Sequence, residues 1–258
     1  MPRLRLYLRL LRLAAVLLLG ALLAAGVGLL ERLNRRNDLL GLRQTLTSWF
    51  LRRLSNALPF DVEVQGEVPS EPMLWVSNHV SWTDIPLLGA LAPLSFLSKA
   101  EVRTWPLAGW LAHKAGTLFI RRGSGDSTVL ARQLQRTLHA GHPVLIFPEG
   151  TTTDGQQVRT FHGRLLTGAI EAGVAVQPVA IRYLRAGQPD LVAPFIGEDD
   201  LPSHLLRLMA SERATVCIQL LTPIASSGLE RNALARQAQR AVQSTLFGEP
   251  AEQPRQAA

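Results

Sequence analysis

Two kinds of apolar pattern divide the chain. Near the start, residues Leu13–Leu30 form an uncharged stretch rich in leucine, alanine and glycine. As a helix at ~1.5 Å per residue this stretch is roughly 27 Å long, close to the hydrocarbon thickness of a bilayer. A second segment, Leu39 to Leu58, carries Leu39, Leu42, Leu46, Trp49, Phe50 and Leu54 at helical spacing, with Arg43, Arg52 and Arg53 among them. That periodicity predicts an amphipathic helix, and Trp49 suits the headgroup level of a membrane. From Asp61 onward the pattern changes to short apolar runs alternating with helical periods. Met73 to Ser77, Leu94 to Ser98, Thr117 to Arg121, Val144 to Phe147, Val176 to Tyr183 and Ala214 to Leu221 predict strands. Ile85 to Leu91, Leu107 to Ala115, Ser127 to Ala140, Arg164 to Ala172, Ser203 to Ala210 and Leu229 to Leu246 predict helices. This alternation is that of an α/β domain with a largely parallel sheet flanked by helices, preceded by a membrane-associated helical pair. The expected division is 1–58 for the anchoring helices, 59–247 for the α/β domain, and 248–258 for a Gln-, Pro- and Ala-rich tail expected to be disordered.

Charge sharpens this division. Residues 1–60 hold ten arginines against Glu31 and Asp38, while the rest of the chain is close to neutral, with 17 basic and 18 acidic residues. Arginines beside apolar helices point to anionic lipid headgroups, and no nucleic-acid-binding signature is present. Basic residues lie on both sides of the uncharged stretch, so the positive-inside rule does not choose an orientation. The first helix either crosses the membrane or lies within one leaflet beside its neighbour. Glu31-Arg32 follows the apolar stretch in place of a small-residue cleavage site, which favours a retained anchor over a signal peptide. The only cysteine, Cys217, rules out an intrachain disulfide and is expected in the core, in keeping with a reducing compartment.

Chemistry concentrates in three places. In Asn78-His79-Val80-Ser81-Trp82-Thr83-Asp84 a histidine precedes an aspartate by five positions at the end of an apolar run. Spacing leaves two readings: a base with a carboxylate orienting its ring, or a helix-capping aspartate beside a solvent-facing histidine. The second place is Gly116-Thr117-Leu118-Phe119-Ile120-Arg121-Arg122, where arginines at a strand end need an anion or solvent. The third is Phe147-Pro148-Glu149-Gly150-Thr151-Thr152-Thr153-Asp154-Gly155. There Gly150 permits close approach of a ligand, and Thr151 and its neighbours offer hydroxyls. Glu149 is placed to hold a hydroxyl, to orient the arginines, or to serve as a plain turn carboxylate. No Gly-x-Ser-x-Gly nucleophile elbow and no complete phosphate-binding loop occurs. The histidines lack partners at metal-ligand spacing, so no metal is expected; His113 and His204 are expected on helix surfaces.

The order of these pieces is far more specific than any one of them. Asn-His-x-Ser-x-x-Asp, then Gly-x-x-Phe-Ile-x-Arg, then Phe-Pro-Glu-Gly-Thr, then an apolar strand holding Pro178, resembles the glycerolipid acyltransferases over roughly residues 60–225. The closest likeness is to 1-acyl-sn-glycerol-3-phosphate (lysophosphatidate) acyltransferases. Ser98-Lys99-Ala100-Glu101 and Pro106 to Gly109 also match the family's connection between the first two motifs. The resemblance implies that His79 takes the proton from the sn-2 hydroxyl of a lysophospholipid while Asp84 orients the imidazole. That oxygen attacks the thioester of acyl-CoA or acyl carrier protein, the acyl-donor substrates, and no cofactor is implied. The missing protein nucleophile is then expected, because the substrate supplies it. Arg122 would grip the acceptor phosphate, Glu149, Gly150 and Thr151 would complete the acceptor site, Lys99 would add charge, and Arg121 occupies a variable position. The implied partners are membrane lipids, the lysophospholipid and the acyl donor. The implied place is the inner (cytoplasmic) membrane, with the active site facing the cytoplasm. The product would be phosphatidic acid. One departure bears on the acceptor: those enzymes commonly place arginine where this chain has Thr152, and Glu-Gly-Thr-Thr-Thr-Asp-Gly looks more like the lyso-ornithine lipid acyltransferases. Losing one charge-assisted hydrogen bond of ~1.5–3 kcal/mol changes acceptor choice without abolishing catalysis. A hydrolase using water as acceptor would leave the arginines without a role, and intact His79, Asp84, Arg122 and Glu149 argue against an inactive membrane-binding protein.

Overall fold

The six short apolar runs and two further segments build one eight-stranded sheet. The computed structural model describes residues 2–33, 39–105, 107–120 and 127–248. In chain order the elements are α1 (Pro2–Leu33), α2 (Leu40–Ala57), β1 (Phe60–Gln65), β2 (Leu74–Ser77), α3 (Asp84–Gly89), β3 (Ser95–Lys99), α4 (Ala108–Lys114), β4 (Leu118–Ile120), α5 (Ser127–His139), β5 (Val144–Ile146), α6 (Thr167–Ala172), β6 (Val176–Arg185), β7 (Gln188–Pro189), α7 (Leu201–Ala210), β8 (Ala214–Leu220) and α8 (Arg231–Phe247). Short 3₁₀ turns precede α4 and α6. The strand order is β1-β8-β6-β2-β5-β3-β4, with β7 paired to β6. All pairs are parallel except β6 with β8 and β6 with β7, so the sheet is largely parallel as its alternating pattern predicts.

Each face of the sheet carries its own core. On one side Trp75, Phe96, Leu145, Val179, Ile181 and Val216 pack with Leu87 and Leu88 of α3 and Leu208 of α7, and Leu13 of α1 and Leu51 of α2 join them. On the other, Leu74, Val76, Val144 and Ile146 meet α5, α6 and α8 through Leu134, Ala169, Leu234 and Val242. Alternate residues of β2 and β5 therefore feed opposite cores, which is why these strands read as unbroken apolar runs.

Phe60–Gln65 adds a strand to those expected, with Val62 and Val64 alternating with Asp61 and Glu63; as an edge strand beyond Phe60 it is exposed on both faces. Two expectations are corrected. Cys217 is not core: β8 alternates strictly, and its Sγ lies on the half-exposed face 3.8 Å from Glu63 Oε2. His204 is fully buried rather than on a helix surface, because it shares the inward face of α7 with Leu208.

α1 is a single helix well beyond the uncharged stretch, and it is fastened to the domain at both ends. Arg5 pairs with Glu212 at 2.7 Å, and Arg9 donates to the carbonyls of Met209 and Ser211. At the other end Glu31 meets Arg43 of α2 at 3.3 Å and Lys114 of α4 at 3.9 Å. Its outward side carries Leu4, Tyr7, Leu8, Leu11, Leu18, Leu22, Leu29 and Leu33, all exposed. Among the described residues it is the one helix long and apolar enough to cross a membrane. Gly20 lets α2 approach: a Cβ there would stand 2.4 Å from the Phe50 ring.

Candidate active site

Adjacent parallel strands end at one edge of the sheet, and the loops that follow them must meet there. β2 and β5 are in register from Leu74 opposite Val144 to Val76 opposite Ile146. Three residues past each of these ends stand His79 and Glu149. The Phe147 ring stacks on the His79 imidazole at 3.8 Å and 11°. Glu149 Oε1 accepts the His79 backbone N–H at 3.0 Å, and Oε2 accepts that of Arg159 at 3.1 Å. Thr153 N–H donates to the His79 carbonyl at 2.8 Å. The loop 147–153 thus holds the main chain of His79 from both sides.

The histidine–aspartate pair forms. His79 Nδ1 lies 2.8 Å from Asp84 Oδ2, with 17% of the His79 side chain exposed and none of Asp84. The same oxygen accepts the N–H groups of Val80 at 2.8 Å and Ser81 at 3.1 Å. Asp84 begins α3, where its charge also meets the positive end of the helix. An ionised carboxylate only accepts, so Nδ1 carries the ring proton and Nε2 presents its lone pair away from Asp84. That is the arrangement of a general base with its orienter. Of the two readings that spacing left open, the structure shows a carboxylate bonded to the imidazole.

Neighbouring side chains keep this loop in place. Asn78 extends the β2–β6 ladder with its amide: Nδ2 donates to the Ile181 carbonyl and Oδ1 accepts the Ile181 N–H, each at 2.9 Å. Trp82 Nε1 donates to His204 Nδ1 at 3.0 Å, and His204 Nε2 donates to the Pro194 carbonyl at 3.1 Å. Burial lowers the His204 pKa, so it serves as a neutral strut for the Trp82 indole. Burial pushes the Glu149 carboxyl up to about 7, against the opposing pull of the Arg159 and His79 N–H groups. Both Glu149 oxygens are committed to backbone amides. This explains why a carboxylate, with an acceptor at each end, suits the position better than an amide.

The remaining expected site residues divide. Gly150, with φ +70°, closes the turn back to Phe147, its N–H donating to the Phe147 carbonyl at 3.0 Å. Thr151, half-buried, follows it at the same sheet edge. Thr152 turns aside, its hydroxyl donating to the Phe195 carbonyl. Lys99 is exposed at the end of β3, opposite Ile120 of β4. β4 ends at Ile120, and Arg121 and Arg122 lie outside the described residues. Reasoning from sequence passed over the stacking of Phe147, the Trp82–His204 strut and Tyr183. Tyr183 Oη donates to Asp84 Oδ1 at 2.5 Å. A hydroxyl at an inward position of an apolar strand was the available signal.

An apolar groove of about 410 Å³ lies between α1, α2 and α4 and reaches Trp82, Ile85 and Pro86, neighbours of the pair in the chain. Leu17, Leu23, Phe50, Trp82, Ile85 and Leu111 are among its lining residues. Its volume falls within the range of small-molecule sites, and its wall suits a hydrocarbon chain.

Comparison with known proteins bears on the family and the fold. The acyltransferase family model matches residues 60–182. The lyso-ornithine lipid O-acyltransferase of Pseudomonas aeruginosa is 66% identical over 248 residues, 96% of each chain. The chain belongs to the acyltransferase family. It is an acyltransferase of the lysophospholipid type. The lyso-ornithine lipid O-acyltransferase of Brucella abortus is 33% identical, over 80% of this acyltransferase and 83% of its relative. The 1-acyl-sn-glycerol-3-phosphate acyltransferase of Neisseria gonorrhoeae is 34% identical over 64% and 66%. The crystal structure of the Thermotoga maritima 1-acyl-sn-glycerophosphate acyltransferase PlsC shares the fold, with TM-score 0.63 and 23% identity over 92% of this chain and 96% of that one.

Proposed function

We propose that the acyltransferase moves an acyl chain from a thioester donor to the free hydroxyl of a lyso-ornithine lipid. His79 Nε2 takes the hydroxyl proton, and the oxygen forms its bond to the thioester carbonyl carbon. As the carbon–sulfur bond breaks, the imidazolium returns the proton to the departing thiolate, leaving an ester and a free thiol. Asp84 stabilises the imidazolium in between. The observation that carries this mechanism is the His79–Asp84 pair, bonded through Nδ1 with the imidazole part-exposed, in a loop whose Trp82 lines an apolar groove.

The choice of acceptor rests on similarity and on Thr152. The relative matching nearly the whole chain carries the lyso-ornithine name. At the position where phosphate-selective relatives commonly place arginine, Thr152 is neutral and spends its hydroxyl on Phe195. Lysophosphatidate, giving phosphatidic acid, is the second reading, supported by the shorter match to the Neisseria enzyme. Offered both acceptors, each with acyl-CoA and with acyl carrier protein, the purified enzyme is expected to prefer lyso-ornithine lipid. The expected margin in kcat/KM is about tenfold or more, the worth of one charge-assisted hydrogen bond. A preference for lysophosphatidate would reverse the assignment, and the same panel identifies the donor.

The proposed place is the cytoplasmic face of the inner membrane, and the attachment of α1 supports one part of that reading, a helix lying in one leaflet. From Arg5 to Glu31 the helix runs roughly 39 Å, and both ends are tied to the same domain. A helix crossing the bilayer would separate those ends by the membrane. Single cysteines at Arg3 and Leu33, in a Cys217→Ser background, should both react with an impermeant maleimide in inverted inner-membrane vesicles. Reaction at one end only would establish a spanning helix.

A further inference from the structure

We infer that Tyr183, backed by Thr83, is a positioning residue for the His79–Asp84 pair: its hydroxyl holds one oxygen of Asp84 so that the other stays aimed at the imidazole. The inference rests on the proposed role of His79 as base. It begins with strand lengths. β2 ends at Ser77, opposite Val179, whereas β6 continues to Arg185. The overhanging part of β6 runs past the catalytic loop, so Ile181 meets the Asn78 amide and Tyr183, two residues on, reaches Asp84.

Packing does not explain the hydroxyl. The Tyr183 ring is buried and meets Phe60 edge-on at 5.4 Å, a contact phenylalanine would make equally well. A phenol in such a place is unfavourable unless bonded, and here it bonds on both sides. Tyr183 Oη lies 2.5 Å from Asp84 Oδ1 and 2.8 Å from Thr83 Oγ1. The carboxylate accepts only, so the tyrosine proton points to Asp84 and the threonine proton to Tyr183. A directed chain results: Thr83 O–H donates to Tyr183 and Tyr183 O–H to Asp84, which accepts the His79 Nδ1–H on its other oxygen. Such chains polarise cooperatively. Burial, then the Asp84 charge, keeps the phenol well above its usual pKa, so it remains a donor.

The two Asp84 oxygens consequently have separate tasks. Oδ2 serves His79, Val80 and Ser81, while Oδ1 serves Tyr183. Removing the hydroxyl leaves Oδ1 without that donor, frees the carboxylate to turn, and concentrates its charge on the imidazole. Other charged groups near the pair are fixed by their own partners. Glu149 lies on the opposite side of His79, bonded to backbone amides with the Arg159 charge nearby. Asp190, behind Tyr183, forms a bidentate pair with Arg185.

The test compares the full-length enzyme in lipid nanodiscs with Tyr183→Phe and Thr83→Val, using His79→Ala as reference. Tyr183→Phe is expected to lower kcat about 10–100-fold, the worth of a hydrogen bond to a charged group. KM for donor and acceptor should stay within about twofold of wild type. The acidic limb of the pH–rate profile should move to higher pH. The NMR titration of the His79 ring, assigned by its loss in His79→Ala, should move with it. Thr83→Val should shift both in the same direction by less. Coincident titrations in wild type and Tyr183→Phe, or an unchanged kcat in folded Tyr183→Phe, would overturn the inference. Should Tyr183→Phe fail to fold, Thr83→Val decides by the same readouts. If His79→Ala retains activity, the base assignment fails, while the ring titration still tests the contact between Tyr183 and the pair.

Discussion

His79→Ala should lower acyl transfer by about 10²–10⁴-fold, the usual contribution of a general base, while the protein folds and stays in membranes. His79 is the only imidazole that the structure places against both the catalytic loop and the Phe147–Thr153 loop among the described residues. The fold does not depend on this ring. Its face rests on Phe147 and 17% of the side chain is exposed, so truncation leaves a small solvent-connected gap. Asp84 keeps Val80, Ser81 and Tyr183 as donors and is not stranded. The backbone bonds of residue 79 to Glu149 and Thr153 need no imidazole. Transfer of labelled acyl chains at saturating donor and acceptor, beside thermal melting and membrane partition, separates loss of chemistry from loss of fold. Near-normal transfer would remove His79 from the mechanism.

How much was legible beforehand depended on distance along the chain. His79 and Asp84 are five residues apart, and one turn followed by a helix start brings them together, so a local motif contained the geometry. Glu149 was identifiable as important, but its partners were not. Its oxygens bind the N–H groups of His79 and Arg159, which follows from the β2–β5 register rather than from side-chain chemistry. Tyr183 lies 99 residues from Asp84 and meets it only because β6 overhangs β2. An apolar run predicts a strand without saying which neighbour it will have. The corrected residues show a different limit. Cys217 lies in an apolar run, yet the alternation of β8 turns Thr215, Cys217 and Gln219 away from the core. His204 looks polar in isolation, but its spacing of four from Leu208 places both on the buried face of α7. In both cases periodicity was a better guide than residue type. β1 escaped notice because an edge strand with little burial has no apolar run to show.

Asp84→Asn should lower acyl transfer by about 10²–10³-fold, the scale of losing one charge of a buried pair, with the fold retained. In Ser-His-Asp hydrolases the corresponding change costs ~10⁴-fold because the amide selects the wrong imidazole tautomer. Here two backbone donors decide otherwise. If the new NH₂ faced His79 Nδ1 it would also face the N–H groups of Val80 and Ser81, three donors against one. The amide oxygen must therefore take that side, and Nδ1 keeps its proton. The NH₂ then meets Tyr183, whose hydroxyl can reverse, accepting from the amide and donating to Thr83 Oγ1. What the variant loses is the charge that stabilises the imidazolium, so its acidic limb should move to lower pH. Asp84→Ala has no such repair: the donors of Val80, Ser81 and Tyr183 lose their acceptor, at about 1–3 kcal/mol for each buried group left unpaired, and the folded yield should fall. Measured together, the kcat, pH profile and melting temperature of the two variants separate charge from shape at this position. A loss near 10⁴-fold in Asp84→Asn with an unshifted limb would mean that the amide had turned over and that the backbone donors do not fix the tautomer.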